Sequence, residues 1–588
     1  MDRLKMHSLN KVEENIKKIA ELFPNTLTEV IKGYDKDGRP VIGYAIDFDV
    51  LRQELSDIIV EGPEERYQFT WPDKRKSILL ANTPVTKTLR PCREESVNFD
   101  MTSNLYIEGD NLDVLKLLQE SYRGRIKLIY IDPPYNTGND FVYDDNFVQS
   151  ENEYLAKSGK TVAEGSLLAN NPDSGGRFHT DWLNMMYPRL MLARDLLSEE
   201  GAIFVSIDYN EAENLKKIMD EIFGRENFQR EIIWRIGWLS GFKTAASNFI
   251  RNHDTLLFYS KDHTRLKFIK KYIENKDFKP LVRKTPKLVS RLTELGLTRA
   301  QQKKLLHFIN HENRPKRYPI EDTWNCNEYD DLNSIAIVSY SGEKISKILG
   351  IDQDFKGQKP VRMLKRILEA ITSGDDIVMD FFSGTASTAH AVMQLNAEDG
   401  GKRKFIMVQI PEPCDEKSEA YKAGYRTISD IGKERLRRVG KKIMKDFPHT
   451  AEKLDTGFRV LKLDTGNMEE FYYNTDFAKN PNSLPTDCVK AGRTHEHLLF
   501  QVMLDLGVPL SAKIEELTIY GNKVYNVADR YLMACFEKCL TDEAVTEIAK
   551  KHPYYAVFRE NPMSNGSNAS DFKKIFETFS PSTIIKVL

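Results

Sequence analysis

The chain has 588 residues, more than one hydrophobic core can serve, and a size that fits roughly three to five domains. With 85 Lys+Arg against 87 Asp+Glu the net charge is −2, so no global basic surface is offered to a polyanion and any nucleic-acid surface must be a local patch. Met1-Asp-Arg-Leu-Lys lacks the apolar core of a signal peptide, and no run approaches about 18 apolar residues, which points to the cytoplasm and to no membrane partner.

The first hundred residues open with a helix, because Val12, Ile16, Ile19 and Phe23 share a face and Pro24 follows. Residues 60–100 are charged and proline-punctuated, the pattern of a connecting arm. Leu105-Tyr-Ile-Glu-Gly-Asp110-Asn reads as a strand running into a helix with Leu112, Leu115 and Leu118 on one side. Asp110 suits a helix N-cap as well as a ligand-facing carboxylate. Ile126-Lys-Leu-Ile-Tyr-Ile131 is an apolar run of the kind buried in a parallel sheet, and Asp132-Pro133-Pro134-Tyr135 ends it with a carboxylate, two ladder-stopping prolines and an aromatic ring. Ligands of open α/β sheets sit outside the carboxyl ends of strands, so these side chains face the expected site. Residues 141–175 are polar and rich in Asn, Gly, Ser and Asp, a long loop suited to closing over a substrate.

Residues 179–223 read as helix, buried strand (Gly201 to Asp208) and helix, with Pro188 expected to kink or restart the first helix. This βα rhythm predicts a doubly wound α/β sheet. It breaks over 240–350. Within 261–320 there are seventeen Lys/Arg against five Asp/Glu, interrupted by Phe268, Tyr272, Phe278, Phe308 and Tyr318. A charge run is usually a solvated face, but an excess this large confined to one segment favours a DNA-contacting surface. Pro360 then starts a helix with Leu364, Ile367, Leu368 and Ile371 inward. Asp376-Ile-Val-Met-Asp380 is a strand leading through Phe381-Phe382-Ser383-Gly384-Thr385-Ala386 into a small-residue helix. Such a turn lets a ligand approach the backbone and offers N–H groups to a carboxylate. A further strand, Lys404 to Ile410, ends beside Glu412. Residues 450–588 read as a separate α/β module with strands near 456–463 and 515–525 and a helix near 495–506, suited to assembly. The six cysteines are scattered. Only Cys535 and Cys539 are close, four apart on an expected helix, and without a second Cys/His pair they predict free thiols and no metal site.

Asp-Pro-Pro-Tyr at a strand end resembles the catalytic motif of amino-group methyltransferases that use S-adenosylmethionine (AdoMet). The Phe381–Ala386 turn resembles the Phe-x-Gly-x-Gly motif that holds the methionine part of AdoMet, with Ala386 at the second glycine. Alanine is compatible there at negative φ, and slightly tighter walls are expected. The catalytic motif precedes the cofactor motif with the basic segment between them, an order similar to that of the β class of DNA amino-methyltransferases. Asn136-Thr-Gly-Asn-Asp-Phe141, His179-Thr-Asp-Trp-Leu-Asn-Met-Met-Tyr-Pro-Arg-Leu and Ser206-Ile-Asp208 look like the modification (Mod) subunits of type III restriction–modification systems.

The resemblance implies a Rossmann-like AdoMet-dependent methyltransferase domain with permuted motif order, an inserted target-recognition domain and terminal accessory modules. The corresponding boundaries are 1–100 for an N-terminal module, 101–238 for the catalytic half, 239–350 for the recognition insert, 351–450 for the AdoMet-binding half and 451–588 for a C-terminal assembly module. It implies methylation of adenine N6 in double-stranded DNA by a homodimer that joins a separate helicase–nuclease (Res) subunit. Asp110 would face the adenine of AdoMet, Asp380 through Ala386 its methionine part and Glu412 its ribose, while Lys359 could neutralise its carboxylate. Chemically, the exocyclic nitrogen of adenine is a poor nucleophile because its lone pair is delocalised. The Asp132 carboxylate and Pro133 carbonyl can hold both N–H groups and turn that lone pair toward the sulfonium methyl, with Tyr135 stacking on a flipped base. Asp rather than Ser at the first position favours adenine over cytosine. A stand-alone regulatory adenine methyltransferase and an RNA methyltransferase remain as alternatives. A fused nuclease is disfavoured because no Gly-x-x-x-x-Gly-Lys-Ser/Thr loop is present.

Overall fold

The computed structural model describes residues 2–4, 6–34, 40–55, 69–137, 141–143, 168–170, 178–235, 249, 251–278, 280–325, 345–351, 358–469, 488–538, 540–559 and 569–588. Most of the loop expected to close over the substrate lies outside these residues, as do Cys326 and Cys539. Cys92, Cys414, Cys488 and Cys535 are free thiols, and Cys535 ends a strand (Leu532–Cys535) rather than lying on a helix.

Ten strands form the central sheet: β1 (Thr88–Val97), β2 (Leu105–Glu108), β3 (Ile126–Ile131), β4 (Leu197–Ile207), β5 (Phe228–Arg235), β6 (His253–Ser260), β7 (Thr323–Asn325), β8 (Ile377–Asp380), β9 (Lys404–Gln409) and β10 (Phe458–Asp464). Their order in space is β7-β5-β6-β4-β3-β8-β9-β2-β10-β1. The six from β4 to β10 are mutually parallel, and β6 and β1 flank them antiparallel. The apolar strands are buried on both faces, as parallel strands must be. Along β3, Ile129 and Ile131 enter one core while Leu128 and Tyr130 enter the other. Helices α1 (Asn111–Leu117), α2 (Phe178–Leu196), α3 (Ala212–Phe223) and α7 (His495–Asp505) cover the first face. Helices α4 (Val361–Ile371), α5 (Ser387–Asp399) and α6 (Ile428–Asp446) cover the second. This is the doubly wound architecture that the βα rhythm predicts.

Three boundaries differ from the sequence expectation. Thr88–Val97, expected in a connecting arm of the N-terminal module, is the edge strand of the central sheet, paired antiparallel with Phe458–Asp464. Phe458–Asp464, placed in a separate C-terminal module, pairs with Leu105–Glu108 inside the central sheet, because Phe458 and Val460 are buried on one of its faces and Leu461 on the other. His253–Ser260 and Thr323–Asn325, placed in the insert, likewise belong to this sheet, so the true excursion spans 261–322. Pro188 neither restarts nor ends α2, which runs through it for 19 residues. A second sheet of Ile514–Ile519, Asn522–Val527, Leu532–Cys535, Tyr555–Phe558 and Ile584–Val587 is completed by Asp2–Arg3. No described helix is long and apolar enough to cross a membrane.

The chain leaves β3 for β4 on one side, whereas β8 leads to β9 on the other. The crevice between β3 and β8 is therefore the topological switch point, where open α/β sheets bind ligands outside the carboxyl ends of their strands.

Candidate active site

Asp132 lies just past the end of β3, and Asp380 ends β8, its hydrogen-bonded neighbour in the sheet. About 250 residues of chain separate the two motifs, and parallel pairing joins them at one rim. Tyr135 donates its hydroxyl to Asp132 Oδ1 at 2.9 Å. Lys359, ahead of α4, pairs with the same oxygen at 3.1 Å, donates to the Tyr135 hydroxyl at 2.5 Å and lies 4.8 Å over the Tyr135 ring. It is thus no isolated surface lysine; among the described residues its partners are the carboxylate and phenol of the first motif. Burial raises the Asp132 pKa, Lys359 and Tyr135 oppose that rise, and the nearby charge of Asp254 adds to it. Asp254 belongs to the antiparallel strand β6, whose start reaches the same rim, and its importance was not visible in the sequence.

The loop that carries Asp132 to Tyr135 is fastened from below. Trp182 of α2 donates Nε1 to Pro134 O at 2.8 Å. Asn136, at φ 59°, donates to Glu211 Oε1 at 2.6 Å and to Phe178 O. Glu211 is 0% exposed, and it also meets His179 Nδ1 at 2.6 Å and Asn214 Nδ2 at 2.8 Å. A buried carboxylate is held in place only when its lone pairs are filled. The polar residues of the 179–190 stretch therefore position the loop, a role the sequence signals only through their unusual density in an apolar helix.

The second motif is a tight turn. Asp380 Oδ1 accepts from Phe382 N at 3.1 Å and Oδ2 from Thr388 Oγ1 at 2.6 Å, so this carboxylate shapes the turn. Full burial pushes its pKa up to about 7. The expected free N–H groups are mostly engaged: Ser383 N donates to Val408 O, Gly384 N to Gln409 Oε1 at 2.6 Å and Ala386 N to Ser383 O. A ligand anion there would meet instead the first turn of α5, whose N–H groups have no partners within the helix. Ala386 does not adopt negative φ. It sits at φ 61° and ψ 39°, in the left-handed region, as the N-cap residue of α5, a conformation costing an alanine about 1 kcal/mol or more. The helix that follows enforces it. Thr385 and Ser387 are gripped by Arg435 of α6, a wholly buried guanidinium. Phe381 O accepts from Asn111 Nδ2 at 2.7 Å, and Asn111 Oδ1 from Arg189 Nε at 2.5 Å, so Arg189 of α2 ties both motifs to one scaffold.

Asp110 caps α1, accepting from Leu112 N and Asp113 N through Oδ1, while Oδ2 pairs with Arg189 at 3.3 Å. Both oxygens are thereby engaged, as the N-cap alternative required. Glu412 lies past β9 at the same edge, half-buried. Burial raises its pKa with no opposing cation. An acidic acceptor without a countercharge fits a neutral hydroxyl donor such as a ribose, and a Cβ placed on Gly384 would meet nothing within 4 Å, leaving open space over the turn. The residues present therefore fit AdoMet. Glu95, Glu108 and Asp430 converge as a metal site would, but Lys433 and Lys462 already neutralise them.

A family model described as DNA methylase, of the N6/N4 type, matches residues 126–421, half of the chain and both motifs. The chain belongs to the N6/N4 DNA methylase family. It is accordingly an AdoMet-dependent DNA methyltransferase. It is 28% identical over 585 residues to the type III restriction–modification enzyme EcoP15I Mod subunit of Escherichia coli, covering 85% of this chain and 87% of the relative. It is 32% identical to the StyLTI Mod subunit of Salmonella typhimurium, over 73% of this chain and 71% of that one. The type II methyltransferase M.KpnI of Klebsiella pneumoniae is 29% identical over 58% of this chain and 88% of its own.

Proposed function

We propose that this methyltransferase acts on N6 of an adenine flipped out of double-stranded DNA, as the cytoplasmic Mod subunit of a type III restriction–modification system. The observation that carries the reading is the meeting of Asp132–Tyr135 with the 381–386 turn at the switch point of one sheet. AdoMet supplies an electrophilic methyl on a sulfonium, so the protein's task is to hold the amino group in line with it. Asp132 and the Pro133 carbonyl accept the two N–H groups and Pro134, tied to Trp182, fixes the loop. Tyr135 stacks on the base, with its hydroxyl steadying Asp132. Water exclusion and a fixed acceptor stabilise the positive charge that develops on nitrogen. Lys359 must leave Asp132 as the amino group arrives, and the cofactor carboxylate is its natural second partner. Phe381 through Ala386 and Glu412 hold the cofactor, with Asp110 and Asp380 shaping its walls.

The similarity to Mod subunits over most of the chain supports association with a separate Res partner; a homodimer is part of the same proposal. M.KpnI supports a second reading, a methyltransferase that works without Res. Purified protein incubated with methyl-labelled AdoMet and genomic duplex should yield N6-methyladenine on digestion and mass spectrometry. Label in N4-methylcytosine, or in RNA alone, would overturn the substrate assignment. Co-purification with the product of a neighbouring helicase–nuclease gene separates the two readings.

A further inference from the structure

The excursion between β6 and β7 contains two short helices with an unusual balance of charge. Thr285 caps the first, Pro286–Glu294, and a turn through Gly296 at φ 80° follows. Leu295, Gly296 and Leu297 donate their N–H groups back to Arg291, Thr293 and Leu292 carbonyls. Thr298 and Gln301 close a reciprocal capping box on the second helix, Arg299–His307. Gln302, 4% exposed, fixes the two helices together by donating Nε2 to Thr293 Oγ1 at 2.9 Å and to Leu297 O at 3.0 Å. A polar clamp of this kind sets one mutual orientation in a unit too small for a large apolar core.

The second helix turns Gln302 and Leu306 inward and leaves Arg299, Lys303, Lys304 and His307 exposed along one stripe. Among the described residues no carboxylate pairs with Arg299, Lys303 or Lys304, whereas Arg291 of the first helix has Glu294. Three uncompensated cations on a rigid helix repel one another unless a polyanion neutralises them. Two helices joined by a Gly-containing turn form the unit that lays its second helix in the major groove. We infer that residues 286–307 are a helix–turn–helix, and that Arg299–His307 is the helix by which the enzyme reads duplex DNA. Arg299, in the first turn, meets base edges, and Lys303 and Lys304 meet phosphates. The inference rests on the DNA-methyltransferase reading and assigns its sequence recognition to one helix.

Methylation-detecting sequencing of DNA from cells expressing the full chain first defines the modified site. Binding of duplexes with and without that site is then measured by fluorescence anisotropy across a salt series, with AdoMet affinity by calorimetry as the check on folding. The double variant Lys303→Ala/Lys304→Ala should bind both duplexes about 10-fold or more weakly, with a log K against log salt slope shallower by about 2. Arg299→Ala should lose about 10-fold on the site duplex alone and methylate sites degenerate at one position. Wild-type protein that methylates its site while these variants keep affinity, slope and site would overturn the helix assignment alone. Wild-type protein that binds AdoMet but no duplex would overturn the DNA reading and this inference with it. Loss of a protein partner with DNA binding unchanged would reassign the stripe to a protein interface and refute the inference.

Discussion

Glu211 is the residue whose substitution best separates positioning from binding. Its carboxylate is buried and accepts from Asn136, His179 and Asn214, and Asn136 follows directly on Tyr135. Glu211→Gln keeps the volume but turns one acceptor oxygen into a donor facing Asn214 and removes the charge that strengthens the other two bonds. Charge-assisted bonds are worth about 1.5–3 kcal/mol and roughly twice their neutral counterparts, so the substitution removes about 2–4 kcal/mol of local stabilisation. If half of that loosens residues 132–136, single-turnover methyl transfer slows about 5- to 30-fold. The cofactor turn is fastened through Arg435 and Asn111 instead, so AdoMet affinity should stay within about threefold, as expected of uncoupled sites. The assay is single-turnover transfer to a duplex carrying the site, beside calorimetric AdoMet binding. A folded Glu211→Gln enzyme with a wild-type transfer rate would refute the claim that this carboxylate positions the catalytic loop.

Three further outcomes follow from the charges of the site. Asp132 must be ionised to accept the amino group, so kcat/KM for DNA falls as pH drops through its pKa; Lys359→Met removes the main opposing charge in the DNA-free enzyme and should move that acidic limb of kcat/KM to higher pH. An unmoved limb would separate Lys359 from Asp132. Asp380 has a folded pKa raised to about 7, so its contribution to stability is present below the ordinary carboxylate pKa of about 4 and is lost as pH rises through about 7. Asp380→Asn, which can still accept from Phe382 N and bond Thr388, should flatten that loss in unfolding midpoints measured from about pH 5 to 8. Because Lys433 and Lys462 fill the Glu95–Glu108–Asp430 cluster, a chelator should leave the thermal midpoint unchanged, whereas Lys433→Met should lower it by several degrees, about 3–5 kcal/mol for a broken buried pair. A midpoint that drops in chelator would mark a metal there.

The strands, their burial on both faces and the two motifs were legible because apolar runs and chain-breaking residues are local signals. Neighbourhood in the sheet was not: that β8 lies beside β3 follows from pairing, and only the motifs' shared chemistry suggested it. Ala386 shows the limit sharply. An alanine gives no sign of positive φ, and the strained cap is fixed by α5 and by Arg435, some 50 residues later. Arg189, Glu211 and Asn111 were likewise opaque, since a buried polar residue looks like a surface one until its partners are known. Phe458–Asp464 was assigned to the wrong module because strand propensity carries no information about which sheet will accept the strand.

Both ends of the 261–322 excursion are stapled to the same strand, β5, through β6 on one side and β7 on the other. The excursion also touches the body of the enzyme near its start, where Ile269 donates its N–H to Ala370 O of α4 and Lys267 pairs with Glu200, so a graft of the proposed recognition unit has few contacts to preserve. On the recognition proposal, a chimera spliced at Ser260 and Thr323 should change the methylated site while the residues at the β3–β8 crevice stay as they are.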